Sequence, residues 1–284
     1  MLHSVLIYAK ERSPFAFIFI LSLILFCSGI TDIEFSSMRF VSGLATMFVF
    51  LFLVRLSDDI CDIPIDKITH PESALCSGKA VLKHANLFRV FSVIFMLSLQ
   101  FMSARALALI GLVLIVYFVF FIIKPKLPVL LHTIILNSTL AIFPIYSSII
   151  LYEKISNFHL LLGVFFWLGG LAHDFSHSLI DTSKVTPQEL NPINQIDQRL
   201  LAMFSLILFL IASTVGAVMA YLSFTGLVFS ICLIITTIII MALEAKLISS
   251  PSEEAAKPFY IMGFIYFLLP SLGNTIETAY KGLT

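Results

Sequence analysis

The chain has 284 residues, of which 59% are hydrophobic and only 12% charged, with 17 basic and 17 acidic side chains and a mean hydropathy of +1.03. Soluble domains carry about 45–50% apolar and about 25% charged residues, so this composition leaves too little polar surface for a soluble globular protein. A net charge of zero gives no basic face and speaks against a nucleic-acid partner.

In chain order, Lys10 and Arg12 precede an apolar run that reaches Ile30. The run superficially resembles a signal peptide, but it lacks a small-x-small cleavage site and is expected to be a membrane helix. Further spans are expected at 40–55, 86–104, 106–123, 128–151, 157–173, 200–221, 224–246 and 258–277, after a first at 14–30. A hydrocarbon core of roughly 30 Å takes about 20 apolar residues per helix. From Leu200 to Leu243 there is no Asp, Glu, Lys or Arg, a stretch long enough for two crossings, with the turn placed at Ser223–Gly226. The expectation is an all-α, polytopic membrane helix bundle of about nine transmembrane helices, one domain over 1–284. Cys27, Cys61, Cys76 and Cys232 match no zinc spacing and read as free thiols.

Two polar segments stand out, 55–85 and 174–199. Four expected helices separate them, and an even number of crossings returns a chain to the side it left. With the N-terminus inside, twelve Lys and Arg residues fall in inner segments and four (Arg39, Arg105, Lys154 and Lys281) in outer ones. This positive-inside bias assigns the N-terminus and both acidic loops to the cytoplasm.

The first segment contains Asp58-Asp59-x-x-Asp62-x-x-x-Asp66, and the second Asp174-x-x-His177-x-x-x-Asp181. Spacings of three, four and seven put side chains on one face of a helix. Clustered carboxylates repel one another, and a cation among them offsets that cost. Mg²⁺ takes oxygen ligands and is commonly held by one or two carboxylates plus substrate phosphates. Two facing acidic columns with Mg²⁺ between them would make a diphosphate site; solvated interfacial caps are the alternative.

These motifs resemble the two aspartate motifs of the UbiA superfamily of intramembrane prenyltransferases, which are similar in having nine helices with a motif after the second and sixth. The first family motif, N-D-x-x-D-x-x-x-D, is matched here except that Asp58 replaces the Asn. The stretch His70–Gly78 resembles the family continuation P-x-R-P-[LI]-x-x-G, with Ser73 in place of Arg and Ala74 in place of Pro. The second family motif has Asp where this chain has His177, and Phe120-x-x-x-Lys124 resembles a Y-x-x-x-K element whose Lys meets the diphosphate.

The resemblance implies an Mg²⁺-dependent transfer of an isoprenyl group from its diphosphate to an aromatic or other lipophilic acceptor. Asp59, Asp62 and Asp174 are expected to be catalytic, with Asp66 and Asp181 completing the metal-binding set. Asp58, Lys67, Lys124, Asn137 and His177 are the candidate substrate-binding residues. A neutral imidazole is a poor Mg²⁺ ligand, so His177 suits a hydrogen bond to phosphate or contact with the acceptor; the absent arginine removes a bidentate phosphate contact. Among intramembrane polar residues, Gln100, His132, Asn137, Asn274 and Glu277 could line an acceptor pocket or form interhelical hydrogen bonds. The alternatives are a terpene cyclase of the same superfamily, phosphoribosyl transfer to a polyprenyl phosphate, and a non-enzymatic transporter or lipid-binding protein. Acidic residues at helix ends, away from the midplane, disfavour the transporter.

Overall fold

A computed structural model describes residues 1–12, 14–178 and 197–283. Eleven α-helices run in chain order: α1 (Leu2–Arg12), α2 (Phe15–Cys27), α3 (Ser37–Thr69), α4 (Leu82–Ser98), α5 (Ala104–Ile123), α6 (Val129–Tyr152), α7 (Asn157–Ser178), α8 (Gln198–Tyr221), α9 (Leu227–Ser249), α10 (Glu253–Ala256) and α11 (Phe259–Leu283). A single 3₁₀ turn, Lys124–Lys126, follows α5, and no strand occurs among the described residues. The all-helical expectation holds. Seven described helices are long and apolar enough to cross a membrane: α3, α5, α6, α7, α8, α9 and a continuous α10–α11 stretch. Against the nine expected, the described helices thus give seven candidate crossings and one shorter apolar helix, α2, of 13 residues. All four cysteines are free thiols.

The second helix differs most from its sequence expectation. Instead of ending near residue 55, α3 continues for 33 residues to Thr69, through Pro64. Proline removes one backbone donor and its ring crowds the preceding turn, but α3 runs on. The acidic motif is therefore helical, and the connecting loop shrinks to 70–81 before α4 begins at Leu82. Within that loop Gly78 has φ +78°, a left-handed conformation that glycine adopts without a Cβ penalty.

The chain forms two compact units. The first comprises Met1–Phe26, Phe35–Leu127 and Ile149–Lys154. In it α3 packs on α4 and α5, and α1 on α4. Val5, Tyr8 and Ala9 of α1 recur at helical spacing and join Phe52, Leu56, Ala74, Ala80 and Ala85 in one buried cluster. Buried polar groups find partners: Gln100 Nε2 donates to Thr46 Oγ1 and to Met96 O, both at 2.8 Å, as an apolar surrounding demands. At one end of this unit Arg39 donates to Met102 O at 3.2 Å and meets Glu153 at 3.2 Å, while Arg105 donates to Glu153 O. Arg39 and Arg105, both assigned to the outer side by charge counting, thus converge on Glu153.

The second unit comprises Cys27–Glu34, Pro128–Ser148 and Ile155–Thr284. Here α7 packs on α8, α8 on α9, and α11 on both α7 and α9. Phe165, Phe209, Phe229 and Tyr266 form its aromatic centre. The Tyr266 hydroxyl meets Ser213 Oγ at 2.7 Å and donates to Phe209 O at 3.0 Å. On α9, Ile231, Ile234, Ile235 and Ile238 recur at helical spacing and remain exposed, as a lipid-facing stripe requires.

Candidate functional site

The first aspartate motif occupies the last three turns of α3. At about 100° per residue, Asp58, Asp62, Asp66 and Asp59 fall in that order across an arc of roughly 100°. Cations close the arc at both edges. Lys124, in the turn after α5, places Nζ 2.5 Å from Asp58 Oδ1 and 2.6 Å from Asp62 Oδ1. Arg12, the last residue of α1, places Nη2 2.9 Å from Asp66 Oδ2 and Nε 3.6 Å from Asp59 Oδ2. Asp59 also accepts from the Tyr8 hydroxyl at 2.6 Å and lies 3.4 Å from Arg55, one turn earlier on α3. The motif therefore does not form one uniform column: Asp58 and Asp62 share a lysine, Asp59 and Asp66 an arginine. Four carboxylates face three cations, leaving an excess of one negative charge.

Asp59 and Lys124 are both buried, whereas Asp62 is partly exposed. Buried charges are stable only when paired and hydrogen-bonded, which accounts for the tightness of the Lys124 and Tyr8 contacts. Lys67, the other candidate cation on α3, is exposed and makes no such convergence. Tyr8, Arg12 and Arg55 are the residues that motif spacing missed. In the sequence Arg12 reads only as part of the positive charge ahead of the first span.

The second motif lies at the end of α7 and is described as far as Ser178; Asp181 lies outside the described residues. Within the second unit each residue of that last turn faces a different neighbour. Asp174 Oδ2 accepts from Asn137 Nδ2 of α6 at 2.6 Å, and Asn137 also donates to Thr133 O at 3.0 Å. His177 stacks near Tyr260 of α11, ring centroids 5.2 Å apart, and His173 near Phe264 at 4.6 Å. Ser176 donates to Glu244 Oε1 of α9 at 2.6 Å. Asn137 thus serves as the support of Asp174. Asn274 and Glu277 cap the start of α9, accepting from Gly226 N at 3.2 Å and Val228 N at 3.1 Å. Those two and Gln100 are hydrogen-bonded between elements.

The donor set suits a hard divalent cation: carboxylate oxygens dominate, and one or two suffice where phosphate oxygens complete the shell. Asp59, Asp62 and Asp66 are the first-motif residues that could supply such oxygens. Their oxygens are turned to Lys124, Arg12 and Tyr8, and no three His, Cys, Asp or Glu side chains converge among the described residues.

No protein-family model matches the chain, and no curated protein matches its sequence. Solved structures do. One, described as digeranylgeranylglyceryl phosphate synthase in membranes, superposes with a TM-score of 0.73 at 19% identity, covering 97% of this chain and 99% of that one. A second, the apo form of a UbiA homolog from Aeropyrum pernix K1, superposes with a TM-score of 0.72 at 16% identity, covering 93% of this chain and 97% of that one. The fold is that of UbiA-type polytopic membrane proteins over nearly the whole chain.

Proposed function

We propose that this protein is an intramembrane prenyltransferase that takes an isoprenyl group from its diphosphate and passes it to a lipophilic acceptor. The observation that carries the reading is Lys124 held between Asp58 and Asp62. A buried cation amid a carboxylate arc suits a strongly anionic group accompanied by a divalent metal. The fold shared with a digeranylgeranylglyceryl phosphate synthase supports the same class.

In this scheme Asp59, Asp62 and Asp66 are the first-motif ligands for Mg²⁺, and Asp174 and Asp181 are assigned to the second set by their motif spacing. Mg²⁺ supplies electrophilic charge for a departing diphosphate. The chain's own groups do the rest. Lys124 donates to diphosphate oxygens as the C1–O bond breaks and negative charge accumulates on the leaving group. Preorganised donors of this kind act most strongly where water is scarce. Asn137 fixes the Asp174 carboxylate so that it needs no reorganisation. Apolar helix walls withhold water, which would otherwise trap the allylic cation. The acceptor nucleophile then bonds to C1, and its proton passes to the released diphosphate, which holds the electron pair of the broken C1–O bond. The motifs and N-terminus are assigned to the cytoplasmic side by the positive-inside bias.

Diphosphate release by the purified protein tests this directly, with allylic diphosphates of several lengths, with and without Mg²⁺ and a membrane lipid extract. The expected result is Mg²⁺-dependent release that Asp59→Asn abolishes and that the extract stimulates. Release that ignores the extract would indicate cyclisation of the diphosphate alone. A fall of less than tenfold in Asp59→Asn would contradict the assignment of the first motif.

A further inference from the structure

The sequence lacks an arginine at Ser73, where the resembling motif continuation has one, yet an arginine is present beside the motif. We infer that Arg12, delivered by the N-terminal helix α1, is a diphosphate-binding residue and takes the place of the arginine absent at Ser73. The inference rests on the prenyl-diphosphate reading above and concerns one residue that reading does not use.

Several contacts tie α1 to the segment where the motif departs. Glu11 Oε1 accepts from Ala74 N at 2.8 Å, across 63 residues of sequence. Ser4 Oγ meets His84 Nδ1 at 3.0 Å. Val5, Tyr8 and Ala9 share the buried cluster that contains Ala74 and Ala80. Glu11 and Arg12 are consecutive, so the contact that seats α1 on Ala74 also fixes the helix end that carries Arg12. The Ser73 hydroxyl is itself buried and lacks a hydrogen-bond partner, although the residue is only 7% exposed. A buried unpaired hydroxyl is costly, and an anion contacting this segment would relieve it.

Arg12 is more accessible than the carboxylates it pairs with: its side chain is 27% exposed, against 6% for Asp59 and 14% for Asp66. Guanidinium offers five N–H donors in a planar fork that matches phosphate oxygens, and the Asp66 hydrogen bond uses one. Arg12 neutralises Asp59 and Asp66. Once those carboxylates are taken by the cation that accompanies a diphosphate, the guanidinium donates to phosphate oxygens instead. The second role needs no new residue, only a change of acceptor by a side chain at the end of a helix already seated on the loop.

The test is calorimetric titration of inorganic pyrophosphate, in Mg²⁺, into the full-length protein in detergent, for wild type, Arg12→Gln and the double variant Arg12→Gln/Ser73→Arg. Steady-state kinetics with an allylic diphosphate run in parallel. Arg12→Gln is expected to weaken pyrophosphate binding about tenfold to a hundredfold, the range for losing a charge-assisted hydrogen bond, and to raise KM more than it lowers kcat. Ser73→Arg in that background is expected to restore much of the affinity, which it would not do if Arg12 only held α1 in place. Unchanged binding in Arg12→Gln, or no restoration by Ser73→Arg, overturns the inference while leaving the wild-type activity standing. A wild-type protein that binds no pyrophosphate contradicts the prenyl-diphosphate reading itself, and the inference with it.

Discussion

Asn137 donates a 2.6 Å hydrogen bond to Asp174, joining α6 to the last turn of α7. The amide's second anchor, Thr133 O, fixes its orientation, so the carboxylate is held before any ligand arrives. Asn137→Leu removes this support while roughly keeping the side chain's size. Turnover is expected to fall by roughly tenfold to a hundredfold, as for other partners that orient metal ligands, with a raised Mg²⁺ requirement. A Mg²⁺ titration of diphosphate release measures both. Unchanged Mg²⁺ dependence would show that Asp174 works without its amide.

Lys124 has two carboxylate partners and little exposure. Lys124→Met deletes the charge and keeps the stem. Loss of a preorganised donor to developing charge costs about 100-fold to 1,000-fold in kcat, and that is the expected fall in single-turnover rate. Asp58 and Asp62 are partly exposed and remain solvated, so the variant is expected to fold. Lys124→Arg should recover part of the rate, because the charge survives and only the geometry changes.

Glu244 presents a different case. It is fully buried, its Oε1 accepts from Ser176 at 2.6 Å and Ser205 at 2.7 Å, and its Oε2 lacks a partner. Both hydroxyls also lie within hydrogen-bond distance of Ala172 O, at 3.2 and 2.8 Å, so each can turn its one proton to that acceptor if the carboxyl is removed. Glu244→Met is therefore expected to change stability by no more than about 1 kcal/mol, because replacing an incompletely paired buried group with an apolar one of similar shape is nearly neutral. Thermal unfolding in detergent reads the difference. A large loss would mean that the carboxyl does more than join three helices.

The turn between α8 and α9 depends on close approach. A Cβ at Gly226 would collide with the Glu277 carboxylate, which accepts from Val228 N. Gly226→Ala is expected to displace that cap and cost about 0.5–1.5 kcal/mol, the net worth of an exposed hydrogen bond. Gly226→Ala/Glu277→Ala should cost less than the two single changes added, since the collision disappears with the carboxylate. Additive losses in thermal unfolding would rule out the contact.

Much of this architecture was legible because its signals are local. Apolar runs mark the helices, and a charge-free stretch from Leu200 to Leu243 forces a turn. The Asp58–Asp66 motif is readable because helical spacing is periodic, and Lys124 stands where the resembling element has its lysine. What spacing could not supply is the partner set of each carboxylate. Tyr8 reaches Asp59 across 51 residues and Arg12 reaches Asp66 across 54, and nothing periodic links such positions. Helical spacing of the aspartates implies that α3 runs past its apolar part, but not that it reaches Thr69: Asp, Lys and Pro64 look like a loop when read for hydropathy, yet tertiary pairing keeps them helical. Asn137 was legible as a buried polar residue but not as the support of Asp174, because that role depends on how α6 meets α7.

The measurement that tests the central claim most directly follows a labelled isoprenyl group. The purified protein is given an allylic diphosphate labelled at C1, Mg²⁺ and a membrane lipid extract, and the label is traced into extractable products. Covalent transfer to an extract component, abolished by chelating Mg²⁺ and by Asp59→Asn, is the predicted result. Label that remains in intact diphosphate under every chain length and extract, in protein that is folded by thermal unfolding, would contradict prenyl transfer as the function.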